Sequence, residues 1–123
     1  MGQSRRKLTM KYALLIYENE AFYGPDETGP EMQEIVRRHM AFSQELGAKC
    51  IGGAGLKATT TATTVRMSGD ASTVHDGPFA EVKEQLGGFY LIEAADLDEA
   101  IAIAKKVPML QDGLIEVRPM LGG

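Results

Sequence analysis

The segment DGPFAEVKEQLGGFYLI, residues 76–92, holds the densest run of conformationally special residues in the chain. Gly77 can adopt a positive φ and Pro78 lacks a backbone N–H, so this pair cannot continue a central strand. The pattern therefore places Asp76 at the exit of one strand and turns Phe79 inward as an apolar anchor, before a new strand begins after the Gly-Gly pair. A polar loop between strands either carries function or only bends the chain, and both interpretations stay open here.

Periodic patterns on either side of this segment predict the order strand, helix, strand, hairpin, strand, helix, strand. The predicted elements are a strand at 11–18, a helix at 31–46 ended by Gly47, a strand within 48–55, a hairpin over 59–75, a strand at 88–94, a helix capped by Asp96 and stopped by Pro108, and a strand at 114–120. This order is the ferredoxin-like split βαβ arrangement, an α+β fold with an antiparallel sheet, here with an inserted hairpin.

Two of the predicted strands are apolar on both alternating faces. Residues 11–18 carry apolar side chains on both phases, as do residues 89–92. Because both helices cover one face of the sheet, something else has to cover the second face. A second copy of the chain is the economical solution, so we expect a homodimer in which two sheets pack face to face.

Length and charge limit the classes of function. The chain has 123 residues, which fits one domain at 10–123, and the first nine residues are interpreted as a disordered leader or a tag. A net charge of −4 argues against nucleic acid as a direct partner, and no apolar run reaches membrane-spanning length.

The chain contains one cysteine, Cys50, and two histidines, His39 and His75. An internal disulfide is therefore impossible, which suits a reducing cytoplasm. Neither a Cys-His-Cys zinc site nor a three-histidine site can form within one chain. We accordingly expect neither a metal nor an organic cofactor.

His39 lies in the middle of the apolar stripe of the first helix. That predicted inward stripe comprises Met32, Ile35, Val36, His39, Phe42, Ser43 and Leu46. Such a histidine is either a core residue with a satisfied hydrogen bond or a titratable group in a cleft. The sequence leaves both alternatives open.

The motif Asp-Gly-Pro-Phe at 76–79, followed by Glu81, Lys83-Glu84 and Gly87-Gly88-Phe89, resembles the signature of the DGPF proteins of the YCII-related family. The likeness extends over residues 11–121 and includes the Glu-Val-Arg-Pro ending at 116–119. It implies a dimeric α+β barrel but no established reaction.

The resemblance also suggests a site. Smaller members of the family pair a helical histidine with an aspartate in a cleft, which implies His39 and Asp76 as catalytic candidates. Substrate-binding candidates are Arg66 and Lys83 for a polar or anionic group, Tyr17, Phe79 and Tyr90 as walls, and Gly77 and Pro78 at the corner.

Two functions follow as hypotheses. The protein could be a cofactor-free enzyme for a small molecule, with His39 as general base oriented by Asp76. It could instead be a ligand-sensing or accessory module without turnover, working with an extracytoplasmic-function sigma factor, because DGPF-type relatives are often encoded beside such factors or fused to them. The sequence does not decide between them.

Overall fold

The computed structural model describes residues 8–122, which form a four-stranded antiparallel sheet, two α-helices and a separate two-stranded hairpin. The elements are β1 (Met10–Glu18), α1 (Pro30–Leu46), β2 (Cys50–Gly55), β3 (Thr63–Ser68), β4 (Ala71–Asp76), β5 (Gln85–Ala94), α2 (Leu97–Ala104) and β6 (Gly113–Pro119). Short 3-10 turns lie at Glu20–Tyr23, Gly47–Lys49 and Thr59–Thr61. The predicted leader at 1–9 falls almost wholly outside the described residues.

The strand order in the main sheet is β2-β5-β1-β6, and every neighbouring pair is antiparallel. Two strand–helix–strand halves interleave in this order, with the β3–β4 hairpin between them. The predicted ferredoxin-like α+β fold is therefore confirmed.

Strict alternation along β1 sets the core. Its buried phase includes Tyr12, Leu14 and Ile16, and the buried phase of the neighbouring strand β5 supplies Tyr90 and Ile92. The core cluster joins these side chains to both helices, through Phe42 of α1 and through Ala100, Ile103 and Ala104 of α2. Both helices therefore pack on the same face of the sheet.

The opposite face of the sheet carries apolar residues that are only half-buried, including Leu15, Tyr17, Phe89 and Leu91. These side chains alternate with the core residues along β1 and β5, as the two-phase apolar pattern required. A single chain thus presents the apolar face for which a second copy was predicted, and the dimer itself stays a prediction.

Helix α1 begins and ends as its sequence indicates. Pro30 occupies the first turn, where its missing N–H costs nothing, and Gly47 takes the positive φ of a C-terminal cap at 57°. Ile35 and Phe42 of the predicted stripe are buried, but Val36 is 48% exposed. The prediction for Val36 was wrong because this edge of α1 borders an open groove instead of the core.

The β3–β4 hairpin pairs only within itself, and every residue of β4 is exposed. At its end Gly77 has φ 102°, and its N–H donates to the carbonyl oxygen of Ala62 over 2.6 Å. The predicted strand exit at Asp76 and the positive-φ corner at Gly77 are confirmed. The inward turn of Phe79 is wrong, because its side chain is 77% exposed.

Candidate functional site

An open groove of about 880 Å³ lies between α1 and the edge strand β2. This volume falls within the range of small-molecule sites. The β2 wall is largely backbone, because Gly52, Gly53 and Gly55 carry no side chains. A Cβ at Gly55 would meet nothing within 4 Å, so Gly55 borders open space.

His39 and Tyr90 meet in the wall of this groove. Nδ1 of His39 lies 2.6 Å from the hydroxyl oxygen of Tyr90, and that hydroxyl is also 3.4 Å from the carbonyl oxygen of His39. The ring of Phe42 packs edge-on against Tyr90, with centroids 5.3 Å apart. Tyr90 is therefore held between core and groove, and it fixes the orientation of the imidazole.

Burial governs the protonation of this pair. It lowers the pKa of His39, so the imidazole is neutral at neutral pH. Burial raises the pKa of Tyr90 to about 12, with a smaller contribution from Cys50, so the phenol keeps its proton. The site thus combines a neutral imidazole with a protonated hydroxyl in direct hydrogen-bonding contact.

A buried carboxylate lies at another part of the groove wall. Glu18, the last residue of β1, is only 8% exposed. The hydroxyl of Tyr23 donates to its Oε2 over 2.8 Å, and burial together with this hydrogen bond raises the pKa of Tyr23. The tyrosine therefore stays protonated and remains a donor to Glu18.

Hydrogen bonds at the groove join segments that are distant in the sequence. The backbone N–H of Glu20 donates to Oε1 of Gln85 over 2.9 Å, and the Glu20 carboxylate accepts the backbone N–H of Thr59 at 3.0 Å. Lys57 also lines the walls, and its Nζ lies 3.8 Å from Oε1 of Glu27. The walls otherwise carry the carboxylates of Glu18, Glu20, Asp26 and Glu27.

The structure brings two of the predicted site residues together, His39 and Tyr90. Tyr17 lies on the opposite face of the sheet. The remaining candidates lie on the hairpin and the loop that follows it, outside the groove walls: Arg66, Asp76, Gly77, Pro78, Phe79 and Lys83. Within residues 8–122 no hydrogen bond joins His39 to Asp76, and their pairing stays a prediction.

Sequence reasoning missed Glu18 and Tyr23. A signal for Glu18 existed, since it continues the buried phase of Tyr12, Leu14 and Ile16 along β1. An acidic residue on such a phase needs a partner or access to a cavity. Nothing in the pattern around Tyr23 indicated that its hydroxyl would supply that partner.

The described part of the chain contains neither a cluster of metal-ligating side chains nor a helix of membrane-spanning character. No group of three or more His, Cys, Asp or Glu side chains in it is arranged to hold a metal ion. None of its helices is long and apolar enough to cross a membrane.

Comparison with known proteins places the chain in a family. The model of the YCII-related domain matches residues 10–121. A protein of Rhizobium meliloti (strain 1021), which is itself named as uncharacterized, is 40% identical over 118 residues, covering 90% of this chain and 92% of that protein. The match spans the main sheet, both helices, the hairpin and the groove, and the chain therefore belongs to the YCII-related family.

Proposed function

We propose that the groove between α1 and β2 binds a small organic molecule and that His39 exchanges a proton with it. The observation that carries this proposal is the 2.6 Å contact between His39 and Tyr90 in the groove wall. A neutral imidazole that is held in one orientation beside a cavity is suited to general acid–base chemistry. Tyr90 takes the orienting role that the sequence had assigned to Asp76.

The Tyr90 hydroxyl sets which nitrogen of His39 carries the proton. If it donates to the carbonyl oxygen of His39, Nδ1–H donates to the phenol oxygen and Nε2 is free to act as a base. If it donates to Nδ1, Nε2 carries the proton and acts as a donor or acid. Exchanging these roles requires rotation of the Tyr90 O–H bond, release of the Nδ1 proton to water and uptake of a proton at Nε2 from the ligand or from water.

Binding and turnover are tested separately. A screen of small carbonyl compounds by ¹H–¹⁵N NMR should shift the signals of His39 and of the β2 glycines, and turnover of any hit should fall in His39→Gln and in Tyr90→Phe. His75→Gln is the matched control, because His75 lies exposed on β4. Hits that shift only signals outside the groove would contradict the binding site. Equal turnover in His39→Gln and wild type would contradict the proton-transfer role.

The proposal includes a homodimer formed through the half-buried apolar face of the sheet, around Leu15, Phe89 and Leu91. A stable interface of this kind buries at least about 2,000 Å² in total. Light scattering at micromolar concentration should give twice the chain mass, and Leu15→Glu should shift it toward one chain mass. A stable monomer in the wild type would overturn this part.

A second candidate is ligand sensing without turnover, in contact with an extracytoplasmic-function sigma factor. The exposed apolar side chains Val65, Met67 and Val74 on the hairpin favour a protein contact. The free thiol of Cys50 suits a cytoplasmic setting for such a role. Co-purification with a sigma factor that is lost in Val74→Asp, without turnover of groove ligands, would favour it over the enzyme. Turnover without co-purification would reject it.

A further inference from the structure

We propose that Glu18 receives a cationic nitrogen, so that the ligand class of the groove is a small apolar amine. This inference rests on the proposed function, because it concerns the same groove. It goes further in naming the chemical class of the ligand and the residue that selects it.

One carboxylate oxygen of Glu18, Oε1, is open to the groove. Oε2 accepts the Tyr23 hydroxyl, whereas Oε1 has no hydrogen-bond partner among residues 8–122. No buried side-chain oxygen or nitrogen in that part of the chain lacks a partner, so Oε1 is not enclosed in the core. Glu18 lines the groove, and Oε1 is therefore open to a ligand there.

No cation of the described chain neutralises this carboxylate. Glu18 forms no salt bridge within residues 8–122, and Lys57 of the groove wall lies against Glu27 instead. A carboxylate taken out of water is costly unless a positive group or several hydrogen bonds compensate it. A ligand ammonium group supplies both charge and donors.

One part of the groove wall suits a hydrocarbon body. Ile16, Ile35 and Val36 line it beside Glu18 and His39. Along β1, Leu14 pairs with Tyr90 and Glu18 lies four residues further on, which separates the two ends of the site by about 13 Å. A chain of several carbons from an amine at Glu18 spans much of that distance. Anionic ligands, one of the two classes expected earlier for Arg66 and Lys83, are disfavoured beside Glu18.

The test compares three probes of one size: hexylamine, hexanol and hexanoate. Their affinities are measured by NMR titration of the β2 and His39 signals. In the wild type we expect hexylamine to bind at least about tenfold more tightly than hexanol, and hexanoate to bind most weakly. In Glu18→Gln the preference for the amine should disappear. Glu81→Gln, on the exposed loop after β4, should keep it.

The outcomes separate this inference from the proposed function. Hexanol binding as tightly as hexylamine, with shifted His39 signals, overturns the amine preference and leaves the groove site intact. No shift of the His39 signals with any probe overturns both. If Glu18→Gln does not fold, Tyr23→Phe decides, because it removes the donor to Glu18 but keeps the carboxylate. The preference for the amine should then be kept or increased, and its loss would overturn the inference.

Discussion

The main sheet and the β3–β4 hairpin are both antiparallel strand pairings but reach opposite degrees of burial. From Tyr12 to Glu18 of β1 and from Gly88 to Ala94 of β5 every second residue is buried, whereas β4 is exposed at every position. The hairpin nevertheless carries apolar side chains such as Val65, Met67 and Val74. An isolated two-stranded hairpin is marginally stable in water, so its backbone pairing alone does not explain its order. Residue types therefore predict where a strand forms better than they predict whether its side chains are buried.

The largest difference in the free energy of unfolding should come from truncating one apolar side chain in the main sheet and one in the hairpin. Leu14 is fully buried and Met67 is 72% exposed. We expect Leu14→Ala to lower the free energy of unfolding by about 2–5 kcal/mol and Met67→Ala to change it by less than about 0.5 kcal/mol. Urea unfolding of both variants checks this. A cost of Met67→Ala close to that of Leu14→Ala would show that the hairpin is covered, for example by a second copy.

Two glycines of β2 provide a matched pair at the edge of the groove. Gly53 has φ 152°, and a Cβ there would lie 2.6 Å from the carbonyl oxygen of Phe89 on β5, whereas a Cβ at Gly55 meets nothing within 4 Å. Gly53→Ala should therefore destabilise the protein by roughly 1–3 kcal/mol, and Gly55→Ala by less than about 0.5 kcal/mol. Equal thermal midpoints of the two variants would contradict the close approach of β2 to β5.

The hairpin has its own conformationally special residue. Gly77 has a positive φ of 102° and its N–H bonds to Ala62, but open space surrounds its Cβ position. Gly77→Val should cost about 1–3 kcal/mol through backbone strain alone, whereas Lys83→Ala, which removes an exposed charge, should cost less than about 0.5 kcal/mol. Thermal unfolding that gives equal midpoints would show that the corner is not strained.

A smaller effect should appear in the pH dependence of stability. The folded-state pKa of His39 is lowered below its ordinary value of about 6.5, so the unfolded chain binds more protons between the two pKa values. This contribution to stability is present above pH ~6.5 and is lost as the pH falls through the folded pKa. His39→Asn should cost about 1 kcal/mol or less at neutral pH and should flatten this dependence.

The matched control for that series is His75→Asn on the exposed hairpin strand, which should keep the pH dependence of the wild type. Chemical denaturation across the acidic range is the measurement. If the stability of His39→Asn depends on pH as steeply as that of the wild type, the titrating group is not His39.

Much of the fold was predictable because local patterns carry it. The alternation along β1, Pro30 and Gly47 at the ends of α1, and Asp96 capping α2 with its side chain on the N–H of Glu99 all agree with the structure. The predicted burial of Phe79 was wrong because an aromatic residue after a Gly-Pro corner does not reveal which side of the turn faces the core.

The site was less predictable because it depends on strand order. His39 and Tyr90 are 51 residues apart and meet only because β5 lies beside β2 beneath α1. Each was a site candidate by itself, His39 on the apolar stripe of α1 and Tyr90 on the apolar strand β5. The groove exists because β2 is rich in glycine and Val36 borders open space, and neither feature shows in periodicity. Glu18 is likewise placed at the site only by that groove, which it lines.

The central claim is that Tyr90, and not Asp76 of the same chain, sets the protonation of His39. The most direct measurement is an NMR titration of the His39 ring nitrogens in the wild type, Tyr90→Phe and Asp76→Asn. The account predicts that the titration curve and the tautomer change in Tyr90→Phe and match the wild type in Asp76→Asn. A change in Asp76→Asn, with wild-type behaviour in Tyr90→Phe, would contradict it and restore the His39–Asp76 pair.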